Sequence, residues 1–213
     1  VLKKNMVFGM TWGRAMHEFV EQLAKDERLR SLSFQNVKVV PFLGTPGAIQ
    51  SDSWNTTTYS NTLATKVGNL LHCASYNLSA PMYVEGTKEK ELIESIDEIA
   101  KVLHMAETAD IALIGIGSMQ DDSSIIKAEI RTREEYKELV RKGAVGEIVG
   151  RIYDKNGQTV DEDLKRKMVG ISLDKIAKIP VRVGMSYGKD KIEAIKGAIA
   201  GGLVNVLVTD VPT

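Results

Sequence analysis

Several residue types are scarce in this 213-residue sequence, and each scarcity excludes a class of protein. Cys73 is the only cysteine, so an internal disulfide bond is impossible and the reducing cytoplasm is the expected compartment. The three histidines and this cysteine share no ligand spacing, which argues against a metal site. There is no signal peptide and no apolar run as long as a membrane span. Basic and acidic residues number 28 each, so the overall field does not favour nucleic acid.

The remaining composition is that of a globular protein. Hydrophobic residues make up 43% of the chain and charged residues 26%, and the length fits a single α/β domain. The sequence begins at Val1 rather than at an initiator methionine, and it stops shortly after the last predicted strand. We therefore expect a piece of a longer protein that lacks an N-terminal module and a C-terminal helix.

Residues 179–210 set the pattern of the chain. They predict a strand at 181–183, a loop at 184–188, a helix at 190–200 and a strand at 204–208. This order is typical of a βαβ unit in a parallel sheet, where ligands bind beyond the carboxyl ends of the strands. Lys189 and Lys191 fall in the first helical turn, where the macrodipole is already positive. Either an anion binds there, or these are solvated lysines balanced by Asp190.

A second strand-to-helix turn has the same character. Residues 6–10 predict a strand, and a helix follows through Ala15, Met16 and Phe19. Arg14 stands at the start of this helix, as Lys191 does in the later one. If the two strands are neighbours in the sheet, both cations converge on one anion, and phosphate suits the guanidinium fork.

Other segments complete an alternating α/β pattern. They predict strands at 37–43, 74–78 and 109–116, and helices at 59–71 and 88–105. One face of the helix at 88–105 is expected to be buried through Leu92, Ile96, Ile99 and Leu103.

Residues 121–173 interrupt this alternation. Thr132 and Glu135 form a capping-box pattern, and Gly143 ends the helix that follows. Strands at 147–153 and 158–160 are expected to form a hairpin through Asn156-Gly157, before a short helix at 173–177. We expect this helix-plus-hairpin insert to fold over the open end of the sheet.

Two enzymatic interpretations are supported by only a few residues each. Gly115-x-Gly117 follows a strand as in dinucleotide-binding folds, but Gln120 stands where the third glycine belongs. Asp121 and Asp122 are either general bases or solvated turn formers.

Two further residues allow two interpretations each. Glu147 opens a strand and either accepts hydrogen bonds from sugar hydroxyls or is an exposed strand-end residue. Trp12 either stacks on a ligand or fills the core.

Four stretches together resemble the effector-binding domain of SorC/DeoR-type bacterial sugar-responsive transcription regulators. They are Gly9-Met-Thr-Trp-Gly-Arg14, residues 109–118, Gly143-Ala-Val-Gly-Glu147, and Gly188-Lys-Asp-Lys191 with residues 201–210. The resemblance implies an α/β, Rossmann-like three-layer fold with a mostly parallel sheet, related to sugar-phosphate isomerases and deaminases. It also implies a single effector-binding domain over residues 1–213.

The resemblance further implies a binding site. The residues expected to bind the effector phosphate are Thr11, Trp12, Gly13, Arg14, Ala15, Gly188 and Lys191. Those expected to bind the sugar are Gly44, Gly117, Ser124 and Glu147. The family more often has threonine at position 15 and glycine at positions 45 and 187, where this chain has Ala15, Thr45 and Tyr187.

The resulting hypothesis is a cytoplasmic sensing domain without cofactor or metal. It binds a phosphorylated sugar, operator DNA binds to an N-terminal helix-turn-helix outside this chain, and the protein is a homo-oligomer. The alternative is a sugar-phosphate isomerase or deaminase with Asp121 or Glu147 as its base.

Overall fold

The computed structural model describes residues 5–31, 34, 36–46, 56–121, 123–211 and 213. The strands are β1 (Val7–Met10), β2 (Lys38–Pro41), β3 (Ala74–Ser75), β4 (Ile111–Gly115), β5 (Gly117–Ser118), β6 (Ala144–Ile148), β7 (Arg151–Asp154), β8 (Val181–Met185) and β9 (Val206–Val208). The α-helices are α1 (Arg14–Ala24), α2 (Ser60–Leu70), α3 (Thr87–Glu94), α4 (Asp97–Glu107), α5 (Ser124–Lys127), α6 (Arg133–Arg141), α7 (Glu162–Lys167), α8 (Leu173–Ile176) and α9 (Ile192–Ala200). Short 3-10 helices cover Glu27–Ser31, Thr56–Thr58 and Lys189–Lys191.

The main sheet is parallel, and its strand order within the described residues is β3-β2-β1-β4-β8-β9. Each neighbouring pair in this order is parallel. β1 and β4 lie at its centre, with Phe8 opposite Ile111. From β1 the chain continues through β2 to β3, and from β4 it continues the other way through β8 to β9. The strand order therefore reverses between β1 and β4, where the ligand crevice of such sheets lies.

Strand β4 is buried on both faces. Ile111 and Leu113 pack into one core with residues of α1 and α2. Ala112 and Ile114 pack into the other core, to which α9 and residues 125–179 contribute. Successive strand side chains point to opposite faces, so a strand apolar at every position needs a covering layer on each side. The predicted three-layer α/β fold is confirmed.

A smaller antiparallel sheet, in the order β5-β6-β7, carries most of the insert's strand structure. It joins the main sheet because β5 leaves the end of β4, and Gly117 of β5 pairs with Glu147 of β6. The predicted capping box is present at α6: the Glu135 amide donates to Thr132 Oγ1 at 3.2 Å, and the Thr132 amide donates to Glu135 Oε2 at 2.8 Å.

The predicted hairpin is wrong in its first strand. Residues 147–153 are not continuous, because the chain turns at Val149 and Gly150 and returns as β7. Both turn residues have positive φ, 55° and 69°, as a type I′ turn requires. A β-branched residue rarely adopts this conformation, so Val149 gives no turn signal. The predicted turn at Asn156-Gly157 is also present, and beyond it Thr159 forms a bridge to Tyr153.

The helix predicted over 88–105 is wrong, because α3 and α4 are separate helices. Ser95 Oγ donates to the Leu92 carbonyl at 2.7 Å, and Ile96 is extended with ψ 124°. A serine bonded back to the preceding turn competes with continued helix. Leu92 and Ile96 are consequently 70% and 51% exposed, whereas Ile99 is buried as expected.

The end of the chain also departs from expectation. Gly184 and Met185, predicted as loop, belong to β8 because they pair with β4 and with β9. α9 begins at Ile192, after the 3-10 turn. The strand predicted at 204–208 is shorter, and as an edge strand it leaves Val206 45% and Val208 52% exposed. Of the helices described, none has both the length and the apolarity to cross a membrane.

Gly157 fixes the hairpin turn against the end of α9 and provides a test of the packing. Its φ is +75°, and an added Cβ would lie 2.5 Å from Gly201 Cα. Gly157→Ala should therefore cost more than the roughly 1–3 kcal/mol of backbone strain alone. Gly143→Ala is the control, because φ there is +96° but no atom lies within 4 Å of the added Cβ. Urea unfolding would measure both, and equal losses would contradict this packing.

Candidate functional site

A cavity of about 320 Å³ opens at the carboxyl ends of the central strands. Its wall combines residues that follow β1, β4 and β8 with residues of the insert. The lining residues are Trp12, Gly13, Arg14, Ala15, Gly115, Ile116, Gly117, Ser118, Ser123, Ser124, Glu147, Ser186, Tyr187, Asp190 and Lys191. The volume lies in the range of small-molecule pockets, and the position is the crevice made by the reversal of strand order.

Arg14 and Lys191 both line this cavity. The adjacency on which their convergence was predicted is absent, because β4 lies between β1 and β8. They meet because the cavity spans the ends of all three strands. Arg14 is the first residue of α1, whose first turn holds no acidic residue, and Lys191 caps α9. Two helix N-termini and two cations thus face one space, which favours an anion.

Lys191 is held by two neighbours in the wall. Its Nζ donates to Ser118 Oγ at 2.7 Å and lies 3.3 Å from Asp190 Oδ2. Ser118 Oγ donates in turn to Asp190 Oδ2 at 3.1 Å. Burial tends to raise the pKa of Asp190, but Lys191 and Ser118 outweigh it, so the pKa lies below its usual value. Asp190 is therefore ionised at neutral pH.

Glu147 is the buried carboxyl group of the cavity and is 7% exposed. Its Oε1 accepts from the Gly150 amide, and Trp12 Nε1 approaches it at 3.5 Å. Burial raises the pKa of Glu147 to about 7, and these donors, with Arg151 and Lys191, offset only part of that effect. Near neutral pH this carboxyl is present in both forms, so it can donate to or accept from a hydroxyl group.

Gly117 and Trp12 shape the surroundings of Glu147. A Cβ at Gly117 would lie 2.8 Å from Glu147 Oε2, so a larger residue there would displace this carboxyl from its present position. Trp12 is 4% exposed and belongs to the core, and its indole nitrogen faces Glu147. The interpretation that Trp12 fills the core is therefore confirmed, and its stacking on a ligand stays a prediction.

Arg151 lies behind the cavity on β7 and is 2% exposed. Its guanidinium donates to the carbonyls of Val149 at 3.1 Å, Met168 at 3.2 Å and Gly170 at 3.1 Å. Burial lowers its pKa to about 10, against the opposing effects of Glu94 and Glu147. Arg151 therefore remains charged at neutral pH and joins the β6–β7 hairpin to the segment after α7.

Three predicted site residues do not line the cavity. Thr11 is fully buried behind its wall, where Oγ1 accepts from the Gly115 amide at 2.8 Å. Gly44 lies elsewhere and packs against the Ala80 carbonyl, which an added Cβ would approach to 2.5 Å. Gly188 precedes Lys191 with φ +102° but is not part of the wall. The other predicted residues, Trp12, Gly13, Arg14, Ala15, Gly117, Ser124, Glu147 and Lys191, do line it.

Sequence reasoning missed the hydroxyl groups that complete the wall. Ser118 ends β5, Ser186 follows β8 and Ser123 precedes α5, and single serines at such positions carry no strong sequence pattern. Their common signal is position, since Ser118 and Ser186 follow the ends of β4 and β8. Ser186 Oγ donates to the Ile116 carbonyl at 3.0 Å, which ties these two loops together.

The enzymatic interpretations gain little from this geometry. Gly115 ends β4 and Gly117 begins β5 where the dinucleotide arrangement requires the start of a helix, so that arrangement is not formed. Asp121 does not line the cavity, and Asp122 lies outside the described residues. Within the part of the chain that the structure describes, no three His, Cys, Asp or Glu side chains are grouped to hold a metal ion.

Comparison with known proteins decides the family. The Sugar-bind family model, a sugar-binding domain, matches residues 1–213. The chain belongs to the Sugar-bind family. The resemblance to the sugar-binding domain of SorC-type regulators is thereby confirmed.

Similar proteins agree with this assignment. The transcriptional regulator LsrR of Escherichia coli O9:H4 (strain HS) is 35% identical over 153 residues, 70% of this chain and 48% of that protein. The chain thus spans about half the length of the curated relatives it matches. The full-length sorbitol operon regulator SorC from Klebsiella pneumoniae has 28% identity and a TM-score of 0.87, over 100% of this chain and 66% of that one. A transcriptional regulator from Streptococcus pneumoniae TIGR4 has 26% identity and a TM-score of 0.84, over 100% and 77%. These relatives are named transcriptional regulators.

The raised pKa of Glu147 predicts how stability depends on pH. The folded value of about 7 exceeds the ordinary 4.5, so the folded state holds this proton more tightly. The contribution is complete below pH 4.5 and is lost as pH rises through 7, by about 3 kcal/mol. Glu147→Gln should remove it, so the parent should lose stability relative to this variant between pH 5 and 8.

Urea unfolding at a series of pH values measures this difference. Glu134→Gln, on the exposed surface of α6, is the charge-matched control and should keep the parent's pH dependence. Parallel curves for the parent and Glu147→Gln would contradict the raised pKa.

Proposed function

We propose that this chain is the effector-sensing domain of a bacterial transcriptional regulator and that it binds a phosphorylated sugar in the cavity. The observation that carries the proposal is the presence of Arg14, Lys191 and the buried Glu147 around one space. A phosphate monoester carries between one and two negative charges at neutral pH, which matches the two cations. A carboxyl group that both donates and accepts hydrogen bonds suits the hydroxyl groups of a sugar.

The phosphate is assigned to the start of α1. The Gly13-Arg14-Ala15 segment lines the cavity, and helix amides with no acidic neighbour in the first turn favour an anion. Arg14 supplies a bidentate fork, and Lys191 adds a point charge from the start of α9. Thr11 and Gly188 take part indirectly, by fixing the loop behind the wall and the turn before Lys191.

The sugar is assigned to the insert side of the cavity. Glu147 lies on β6, Gly117 gives it room, and Ser124 at the start of α5 adds a hydroxyl group. Gly44 is assigned no direct contact, because it lies away from the lining. The hydroxyls of Ser118, Ser123 and Ser186 supply further hydrogen-bonding groups.

Sensing follows from the mixed origin of the wall. Arg14 and Lys191 belong to the main sheet's helices, whereas Glu147 and Ser124 belong to the insert. An effector that contacts both parts favours one arrangement of the main sheet relative to the insert. It shifts the population of that arrangement only by the difference between its affinities for the two arrangements. We propose that an N-terminal helix-turn-helix outside this chain binds operator DNA, and that the regulator is a cytoplasmic homo-oligomer.

A thermal-shift panel of sugar phosphates and their unphosphorylated sugars tests the proposal. A sugar phosphate at a hundred times its Kd should stabilise the domain by about 2.7 kcal/mol and raise Tm by about 5–10 °C. The unphosphorylated sugars should give much smaller shifts. Arg14→Ala and Lys191→Ala should each abolish the response.

Lys189→Ala is the matched control, since Lys189 is exposed beside Lys191 but does not line the cavity. It should respond like the parent. Equal shifts with the unphosphorylated sugars, or a full response from either cavity variant, would contradict this assignment of the phosphate. Turnover of the bound compound would contradict sensing.

A further inference from the structure

Lys191 and Ser118, which are hydrogen-bonded to each other at 2.7 Å, share one carboxylate of the chain itself. Asp190 Oδ2 lies 3.3 Å from Lys191 Nζ and accepts from Ser118 Oγ at 3.1 Å. Each of these partners is a group that an incoming anion would use, a cation and a hydroxyl donor. Asp190 lines the same cavity and is itself 48% exposed at its side chain.

The carboxylate also lies close to the turn before it. A Cβ on Gly188 would lie 2.8 Å from Asp190 Oδ1, so a larger residue there would shift this side chain. The pairing is also one that the chain can release. Asp190 has an open path to solvent, and an exposed ion pair is worth only a small free energy.

We propose that Asp190 is an internal competitor for the effector's anionic group, held on Lys191 and Ser118 until an anion displaces it. This inference rests on the proposed function. Binding then exchanges one anion for another at the same donors, and Asp190 turns out into solvent. The carboxylate also keeps Lys191 neutralised while the cavity is empty.

Competition of this kind lowers the affinity of the cavity for every anion by the same factor, whatever group the anion is attached to. Inorganic phosphate has only the anion contacts with which to offset that factor. A sugar phosphate adds contacts to Glu147 and the serine hydroxyls, so it still binds. An anion therefore binds only if its contacts outweigh those of Asp190. The contacts of the sugar then decide which anion binds.

Another reading is that Asp190 only stabilises the helix start, where negative charge is favourable. Asp190→Asn would then lower Tm slightly and leave anion affinity unchanged. The two interpretations therefore predict different anion affinities for Asp190→Asn, because a purely structural role leaves the affinity unchanged.

Titration calorimetry at fixed ionic strength with inorganic phosphate and with glucose 6-phosphate and fructose 6-phosphate tests the inference. Asp190→Asn should bind inorganic phosphate about threefold to fivefold more tightly than the parent. Any sugar phosphate that binds the parent should gain the same factor. Asp190→Asn combined with Lys191→Ala should lose the gain, because the contested donor is gone.

Glu193→Gln is the control, since it removes one exposed carboxylate in the first turn of α9, outside the cavity. It should change these affinities less than twofold. An equal gain from Glu193→Gln, or no gain or no phosphate binding with Asp190→Asn, overturns the inference. If Asp190→Asn tightens inorganic phosphate while no sugar phosphate binds either protein, the inference stands and the proposed function fails.

Discussion

The pairing of β1 with β4 is the constraint on which the rest of the molecule depends. These strands are hydrogen-bonded neighbours, yet the chain leaves them in opposite directions along the sheet. The connections that follow the two strands therefore diverge, and a crevice remains at the carboxyl ends. α1 begins directly after β1, so Arg14 enters this crevice without any long loop to position it. Because β4 is buried on both faces, the floor of the crevice is closely packed.

The insert converts this open crevice into a cavity. β5 continues from β4 and pairs with β6, so Glu147 reaches a position that no strand of the main sheet supplies. Its carboxyl loses water, and a single amide and a long indole contact replace only part of that solvation. A polar ligand with hydroxyl groups would restore these hydrogen bonds. The buried Glu147 carboxyl is thus left with hydrogen-bonding groups that a ligand can use.

Features that depend on neighbouring residues in the sequence could be predicted, whereas those that depend on how the strands assemble could not. The apolar run of β4, the capping box at Thr132 and the cations at two helix starts are local, and each is present in the structure. The strand order is not local, so Arg14 and Lys191 meet across β4 rather than on adjacent strands. Val149 adopts a left-handed turn conformation that a β-branched residue rarely takes, and the contact of Ser118 with Lys191 joins residues 73 positions apart in the chain.

Arg151 connects the turn between β6 and β7 to a segment that lies further along the chain. Its guanidinium clamps the turn that carries Gly150, the amide donor of Glu147, to the carbonyls of Met168 and Gly170. The same 168–171 segment is laced to the end of β2, since the Gly44 amide donates to Val169 and the Ile171 amide donates to Phe42. Hydrogen bonds therefore connect the turn below Glu147 to the loop after β2. Gly44 does not line the cavity, yet it is joined to Glu147 through Arg151 and the 168–171 segment.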